Sequence, residues 1–283
     1  MKRKAINKNI LVIGDSIIDK DIFVSNLGKS LETNSTKTKF ISQSINLGGA
    51  SRVVNFISTF DVEISFFSNL EEQYFNEFED LFSKLKIYNT ETITTTEKKR
   101  IKLKIDNTFQ TIFQINKDFK SQPNSFTDKL HLLDKHFDIV LINDYRTGMF
   151  DKSLIKQVNN LSYEKIILAS QLSRNELNIQ NYTNFDIVIL NKYEFENEYN
   201  TQLNFDKNYS DLFSNKLKKI IVTLDSQGAL LITKTKNIYF PTDSKEFINT
   251  IGAGDVFLGS YLIFEDINLA NKHTLNFLME LND

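Results

Sequence analysis

Asn9-Ile10-Leu11-Val12-Ile13-Gly14 is an apolar run that ends in a glycine and is followed at once by Asp15. A short, continuously apolar run that ends at a turn residue is typical of a strand buried on both faces of a parallel sheet. Asp15 and Asp19 therefore lie at the carboxyl end of this strand, which is the edge where open α/β sheets bind ligands.

Further apolar runs follow along the chain and alternate with helical patterns. Strands are predicted at 64–67, 139–142, 166–169, 187–190 and 220–224, and helices near 50–60, 74–85, 151–160, 193–199 and from Gly254 onward. Alternating β and α units with buried strands predict a three-layer α/β fold, in which a mostly parallel, Rossmann-like sheet carries helices on both faces.

Two segments depart from this pattern. Residues 92–116 alternate between polar and apolar side chains around the turn residues Asp106 and Asn107, which predicts an antiparallel hairpin with one polar face. With the alternating segment near 20–45, this hairpin is expected to form a small β lid on a single domain that spans residues 1–283. The polar residues 118–129 are expected to form a surface loop.

Composition excludes several classes of function. The chain has 283 residues, of which 41% are hydrophobic and 25% charged, and a formal net charge of −2, so neither nucleic acid nor a membrane is an expected partner. It has no cysteine, which excludes disulfides and thiolate metal sites. The apolar run at 10–13 is too short for a signal peptide or a membrane span, and a cytoplasmic protein is expected.

Residues 252–255, Gly-Ala-Gly-Asp, stand at a predicted helix start in a chain with only nine glycines. Backbone N–H groups at a helix N-terminus form an anion site, and a carboxylate on the first turn would lie beside the anion. Phosphoryl transfer needs this pairing of donors with a base for the incoming hydroxyl group. The alternative is a capped helix in which Asp255 only complements the helix dipole.

Four segments together decide between these interpretations, because they resemble the ribokinase (PfkB) family of carbohydrate kinases and follow its order. The late signature D-T-x-G-A-G-D is similar to residues 249–255, and the early diglycine before a helix is similar to residues 46–50. The N-x-x-E element matches residues 191–194, and the nucleotide-side strand and turn match residues 222–228.

The resemblance implies an ATP-dependent sugar kinase with Mg²⁺ as cofactor. Asp255 would be the catalytic base, and the amides of Gly252, Ala253 and Gly254 would form the anion hole. The resemblance also implies which residues bind the nucleotide: Asn191, Glu194, Thr223, Asp225 and Gly228. Glu194 would reach the magnesium ion through water, although a plain helix-start carboxylate is the alternative for this residue.

Within the family the chain is most similar to the D-glycero-D-manno-heptose-7-phosphate kinase branch, which points to lipopolysaccharide or capsule sugar biosynthesis. The likeness lies in residues 10–24, 99–100, 109–116, 143–148 and 191–195. It implies a sugar or sugar phosphate as substrate and a homodimer formed through the lid. The sugar-side candidates are Asp15, Asp19, Gly48, Gly49, Arg52, Arg100 and Asp144.

The departures from the branch concentrate on the sugar side. Arg52 replaces an asparagine, Gln114 and Asn116 replace an arginine and an aspartate, and residues 169–171 lack an aspartate. Asn249 replaces the aspartate linked to a monovalent-cation site. These changes predict an altered substrate, and they leave open a catalytically silent relative or a kinase for another small molecule such as a nucleoside.

Several candidates also have plainer interpretations. The Arg52 guanidinium would suit a phosphate or carboxylate of the substrate, or it would be a solvated arginine on a helix surface. Asp15 and Asp19 would accept hydrogen bonds from sugar hydroxyls, or they would cap loops.

Overall fold

The computed structural model describes residues 8–88, 94–117, 130, 133, 135–170, 179, 182, 184–213, 216–243, 247 and 249–282. The loop expected at 118–129, the first residues of the expected lid hairpin (92–93) and residue 171 lie outside these ranges.

The described strands and helices alternate along the chain as the sequence predicts. The strands are β1 (Asn9–Gly14), β2 (Ser16–Lys29), β3 (Thr36–Gly49), β4 (Glu63–Ser68), β5 (Lys86–Tyr88), β6 (Thr96–Ile105), β7 (Thr108–Lys117), β8 (Phe137–Asp144), β9 (Tyr163–Ser170), β10 (Ile187–Asn191), β11 (Lys219–Thr223), β12 (Ala229–Ile232) and β13 (Asn237–Phe240). The helices are α1 (Ala50–Ile57), α2 (Glu72–Glu77), α3 (Glu79–Phe82), α4 (Lys152–Val158), α5 (Lys192–Glu198), α6 (Ala253–Phe264) and α7 (Ile267–Asn282).

The larger sheet of the described structure has nine strands in the order β13-β12-β11-β10-β9-β8-β1-β4-β5. The seven strands from β11 to β5 in this order are parallel, and β12 and β13 are added antiparallel at one edge. The prediction of a mostly parallel sheet is confirmed. Because the strands run the same way, the carboxyl ends of β1, β8, β10 and β11 lie at one edge of the sheet.

Two apolar layers cover the faces of this sheet, which is the three-layer arrangement expected of buried strands. One face packs against α1, α6 and α7, for example through Val53 and Leu258. The other face packs against α4 and α5, for example through Leu154 and Phe195.

A second sheet, in the order β3-β2-β6-β7, is attached at the same carboxyl edge. Its strand β2 begins two residues after the end of β1, and β3 runs directly into α1. The expected turn at Asp106–Asn107 joins β6 to β7, and Asp106 adopts a left-handed conformation with φ of 52°. We call β2, β3, β6 and β7 the lid. That residues 1–283 are a single domain stays a prediction.

Two helices differ from the prediction. The helix expected at 74–85 is interrupted at Phe78, where φ is −117° and ψ is 38°, and forms the short helices α2 and α3. The helix expected from Gly254 ends at Glu265, whose φ of 52° is left-handed, and α7 then begins. Asp266 Oδ1 accepts the Leu269 N–H at 3.0 Å and so caps the start of α7.

None of the described helices combines the length and the apolar composition that crossing a bilayer requires.

Candidate active site

A cleft of about 660 Å³ opens at the carboxyl edge of the larger sheet. Its walls include Tyr145 after β8, Asn191 at the end of β10 and Thr223 at the end of β11. The first turn of α6 forms its floor, and α7 closes one side through Thr274 and Leu278. The volume lies within the range of small-molecule sites.

The start of α6 is shaped by Gly252. Its φ of 90° is left-handed, and a Cβ atom at this position would overlap the guanidinium of Arg52. Ala253 N–H donates to the Thr250 carbonyl at 3.1 Å, which closes the turn before the helix. The amides of Gly252 and Gly254 lie at the helix start, where backbone N–H groups have no intrahelical acceptor. This arrangement suits an anion.

Asp255 lies on the first turn of α6 and is 7% exposed. Its Oδ1 accepts a hydrogen bond from the Tyr145 hydroxyl, and its Oδ2 is 3.9 Å from Arg52 Nε. Burial raises the pKa of Asp255 to about 6, although the Arg52 charge and the Tyr145 hydrogen bond act in the opposite direction. A carboxyl group with this pKa is largely ionised at pH 7 and still basic enough to accept a proton.

Four of the predicted nucleotide-side residues line the cleft: Asn191, Thr223, Asp225 and Gly228. Gly228 has φ of 102°, and a Cβ atom there would overlap the Phe240 carbonyl oxygen. A glycine is therefore required where β12 leaves the cleft.

Glu194 takes part in a capping box at the start of α5. Its Oε2 accepts the Asn191 N–H at 2.8 Å, and Asn191 Oδ1 accepts the Glu194 N–H at 2.8 Å. This is the helix-start role that the sequence left as the alternative. Burial also raises the pKa of Glu194 to about 7. The nearby positive charge and hydrogen bonds therefore do not compensate fully for the loss of solvent around this carboxylate. Among the described residues no group of three or more Asp, Glu and His side chains has the arrangement of a metal site.

The lid brings Asp19 between two arginines. Asp19 Oδ1 is 2.8 Å from Arg100 Nη1, and Asp19 Oδ2 is 3.0 Å from Arg52 Nη2. Arg52 also donates from Nε to the Leu47 carbonyl at 2.7 Å. Both oxygens of Asp19 therefore hold guanidinium groups, and Arg52 is not a solvated surface arginine.

Asp15 and Asp144 are buried beside the loop after β8, with exposures of 0% and 1%, and neither lines the cleft. Asp15 accepts the Tyr145 N–H at 2.8 Å and the Thr147 hydroxyl, whereas Asp144 accepts the Tyr182 hydroxyl at 2.6 Å and pairs with Arg146. Burial and the neighbouring Asp144 raise the pKa of Asp15 to about 7.

In this conformation the two carboxyl groups brace the loop after β8, which favours the loop-capping alternative for Asp15. A direct contact of Asp15 or Asp144 with a sugar stays a prediction.

Gly48 and Gly49 allow the lid to meet the sheet edge. Gly49 has φ of 59°, and a Cβ atom on it would overlap the Asp15 carbonyl oxygen. A Cβ atom on Gly48 would lie 2.7 Å from Asp19 Oδ2. The two glycines therefore allow the backbone of β3 to lie close to the Asp15 carbonyl group and to the Asp19 carboxylate. They have no side chain that could contact a ligand.

Two residues of the site were not among the sequence candidates. Tyr145 contacts Asp255, and Lys98 Nζ lies 5.8 Å from the centre of the Tyr145 ring. A signal existed for each. Tyr145 stands in the motif at 143–148 that supplied Asp144, and Lys98 is two residues before Arg100 on β6, which puts both on one face of the strand.

Comparisons with known proteins agree with this geometry. The family of pfkB carbohydrate kinases matches residues 7–264. The fold is that of ribokinase-type kinases: it is similar to ribokinase from Thermotoga maritima, with a TM-score of 0.72, 18% identity and coverage of 98% of this chain and 93% of that one. It is also similar to phosphofructokinase-2 from Escherichia coli in complex with fructose-6-phosphate, with a TM-score of 0.74, 12% identity and coverage of 97% and 94%.

The chain belongs to the pfkB family of carbohydrate kinases and is a sugar kinase. Among curated proteins it is 26% identical over 273 residues to the bifunctional protein HldE of Helicobacter pylori (strain Shi470). That alignment covers 89% of this chain and 57% of the relative, so the chain spans less than two thirds of the relative's length.

Proposed function

We propose that this sugar kinase transfers the γ-phosphoryl group of ATP to a hydroxyl group of a phosphorylated sugar, with Asp255 as general base. The observation that carries the proposal is the position of Asp255. It lies at the first turn of α6, between the cleft that suits a nucleotide and the charged face of the lid. A base at this point would meet the acceptor hydroxyl and the transferred group together.

The reaction needs one proton acceptor and a site for negative charge. Asp255 accepts the hydroxyl proton while the sugar oxygen bonds to the γ-phosphorus atom, and the bond from that phosphorus to the β–γ bridging oxygen breaks to release ADP. The amides of Gly252 and Gly254 stabilise the charge of the transferring group. Ala253 joins them only if its N–H leaves the Thr250 carbonyl.

ATP would bind along Asn191, Thr223, Asp225 and Gly228, which line the cleft. Magnesium prefers oxygen ligands and keeps several waters, so the half-buried carboxylate of Glu194 suits an ion held through water. When bound, the ion would neutralise charge on the β- and γ-phosphates.

The lid favours an anionic sugar over a neutral one. Lys98, Arg100 and Lys102 alternate along β6 and share the face that carries Asp19. Arg100 and Lys102 are paired with Asp19 and Asp21, whereas no carboxylate of the described residues lies within 4.0 Å of Lys98 Nζ. Lys104 on the same face also lacks such a partner among the described residues, but Lys98 is the one that lies beside Tyr145 of the cleft wall, and it is therefore available to a substrate phosphate there. A heptose-7-phosphate-like substrate agrees with this charge and with the resemblance of the sequence.

We also propose a homodimer formed through the lid. Phe40, Phe113 and Ile115 are 59%, 64% and 55% exposed. Their pairing with Val24, Ile101 and Lys99 puts all three on the face opposite Arg100. A second copy would cover this apolar face and the edge strands of the lid.

A substrate panel tests the proposal. The protein is incubated with Mg²⁺ and [γ-³²P]ATP, and with neutral sugars, sugar phosphates including heptose 7-phosphates, and nucleosides, and labelled products are separated. We expect transfer to a sugar phosphate and a loss of roughly 10²–10⁴-fold in Asp255→Asn. Transfer to a nucleoside alone would establish another kind of kinase. Binding of ATP and sugar without transfer would establish a silent relative.

A further inference from the structure

Four charged side chains of alternating sign connect the lid with Asp255. Arg100 Nη1 lies 2.8 Å from Asp19 Oδ1, and Arg52 Nη2 lies 3.0 Å from Asp19 Oδ2. Arg52 Nε then lies 3.9 Å from Asp255 Oδ2. The first two residues belong to lid strands β6 and β2, Arg52 to α1, and Asp255 to α6. Arg52 is therefore the link between the lid and the proposed base.

Packing fixes the guanidinium of Arg52 in this position. Its Nε donates to the Leu47 carbonyl at 2.7 Å, and its side chain is 13% exposed. The planar group also lies against Gly252, at which any Cβ atom would overlap it. Because acceptors on two sides, the Leu47 carbonyl and the Asp19 carboxylate, hold its N–H groups, the planar guanidinium keeps one orientation.

The charge of Arg52 opposes the effect of burial on Asp255. The groups that face this carboxylate are Arg52 from α1, Tyr145 from the loop after β8, Asp19 from β2 and Lys98 from β6. Burial raises the pKa of Asp255, and Asp19 raises it further. Arg52 is the largest influence that lowers it, ahead of Tyr145 and Lys98.

We infer that Arg52 is a positioning residue for Asp255: anchored by the lid carboxylate Asp19, its guanidinium holds the base in its charged form and fixes the direction of Oδ2. The role as a base rests on the proposed function. An asparagine at position 52 would bring no charge to the carboxylate.

The variants Arg52→Asn and Arg52→Lys test the inference. The pKa of Asp255 is measured in the free protein from the ¹³C shift of its carboxyl carbon, assigned by its disappearance in Asp255→Asn. We expect a rise of about one unit in Arg52→Asn and a value near that of the unchanged protein in Arg52→Lys. The acidic limb of the pH profile of kcat/KM, measured with the sugar phosphate that the protein phosphorylates, should shift to higher pH by the same amount as the pKa of Asp255.

Arg100→Gln is the matched control, because Arg100 pairs with the Asp19 carboxylate as Arg52 does but does not lie within 4.0 Å of the Asp255 carboxylate. We expect the pKa of Asp255 in Arg100→Gln to equal that of the unchanged protein. A change in the KM for the sugar in this variant does not bear on the inference. Thermal melting checks that each variant is folded, and Arg52→Gln replaces Arg52→Asn if the shorter side chain unfolds the protein.

Two results would overturn the inference: an unchanged pKa of Asp255 in folded Arg52→Asn or Arg52→Gln, or an equal rise in Arg52→Lys. The NMR measurement needs no turnover. Absence of phosphoryl transfer in the unchanged protein would therefore refute the proposed function without deciding the role of Arg52.

Discussion

The Tyr145 hydroxyl donates a hydrogen bond to Oδ1 of Asp255, across 110 positions of sequence. The contact ties the loop after β8 to the first turn of α6. Because Oδ1 is occupied by the phenol, Oδ2 is the atom left to face an incoming hydroxyl group. Tyr145 is half-buried, and desolvation of its hydroxyl group together with the Asp255 charge raises its pKa well above the usual value, so it stays a donor.

Removal of this donor should weaken the base. In Tyr145→Phe, Asp255 loses a hydrogen bond that favours its charged form, so its pKa rises. We expect kcat/KM near pH 6 to fall about tenfold, and the loss to shrink at pH 8, where the carboxyl group is ionised in both proteins. Steady-state kinetics across pH measure this effect.

Tyr163→Phe is the control, because Tyr163 starts β9 at the opposite edge of the sheet. Equal losses in the two variants, or a loss in Tyr145→Phe that is independent of pH, would refute the role of the hydrogen bond.

The pH dependence of the unchanged enzyme should follow Asp255. The base acts only when ionised, and its pKa is about 6. The value of kcat/KM should therefore rise with pH through about 6 and be about tenfold below its plateau at pH 5. Because a sugar phosphate also ionises near pH 6, the limb is assigned to Asp255 by its shift to higher pH in Tyr145→Phe with the same substrate. A flat profile between pH 5 and 7, or the same limb in both proteins, would contradict the assignment.

The buried pair of Asp15 and Asp144 should make stability depend on pH. The pKa of Asp15 is about 7 in the folded protein and near 4 when exposed, so the folded state binds the proton more tightly. The stabilisation is present below pH 4 and is lost as pH rises through 7. We expect Asp15→Asn to remove part of the fall in unfolding free energy between pH 5.5 and 8, on the order of 1 kcal/mol.

Chemical denaturation at several pH values tests this prediction. Asp61→Asn, at an exposed carboxylate, serves as the control. Its unfolding free energy should change with pH as steeply as that of the unchanged protein. A slope in Asp15→Asn equal to that of the unchanged protein would refute the prediction.

The apolar outer face of the lid should support self-association. Phe113→Glu puts a charge among exposed apolar side chains, which would be costly in an interface. We expect it to weaken dimer formation at least about tenfold in sedimentation experiments. Thr111→Glu adds the same charge on the opposite face of β7 and should leave the dimer intact. A monomeric parent protein would refute the proposed dimer.

The sheet was predictable from the sequence because buried parallel strands are continuously apolar, as in residues 9–14. The position of Asp255 at a helix start followed from the paired glycines, and the structure has α6 begin at Ala253. The break at Phe78 was not predictable, because neither proline nor glycine marks it.

The contacts of the site depend on tertiary structure. The local sequence pattern predicts that Asp15 follows a strand. Its complete burial depends on the loop at 145–148, which lies against its carboxylate. In the same way, the sequence predicts only that Arg52 lies on a helix. The contacts of its guanidinium with Asp19 and Gly252 depend on the tertiary structure. Tyr145 was missed because its partner lies in another segment of the chain.

The role of Asp255 as general base is tested most directly by single-turnover phosphoryl transfer. Excess enzyme with saturating [γ-³²P]ATP and Mg²⁺ is mixed with the sugar phosphate found in the panel, and the chemical step is compared between the unchanged protein and Asp255→Asn. We expect nucleotide affinity within about threefold and transfer slower by roughly 10²–10⁴-fold in the variant. Transfer at nearly the unchanged rate in folded Asp255→Asn would contradict the role of Asp255 as general base.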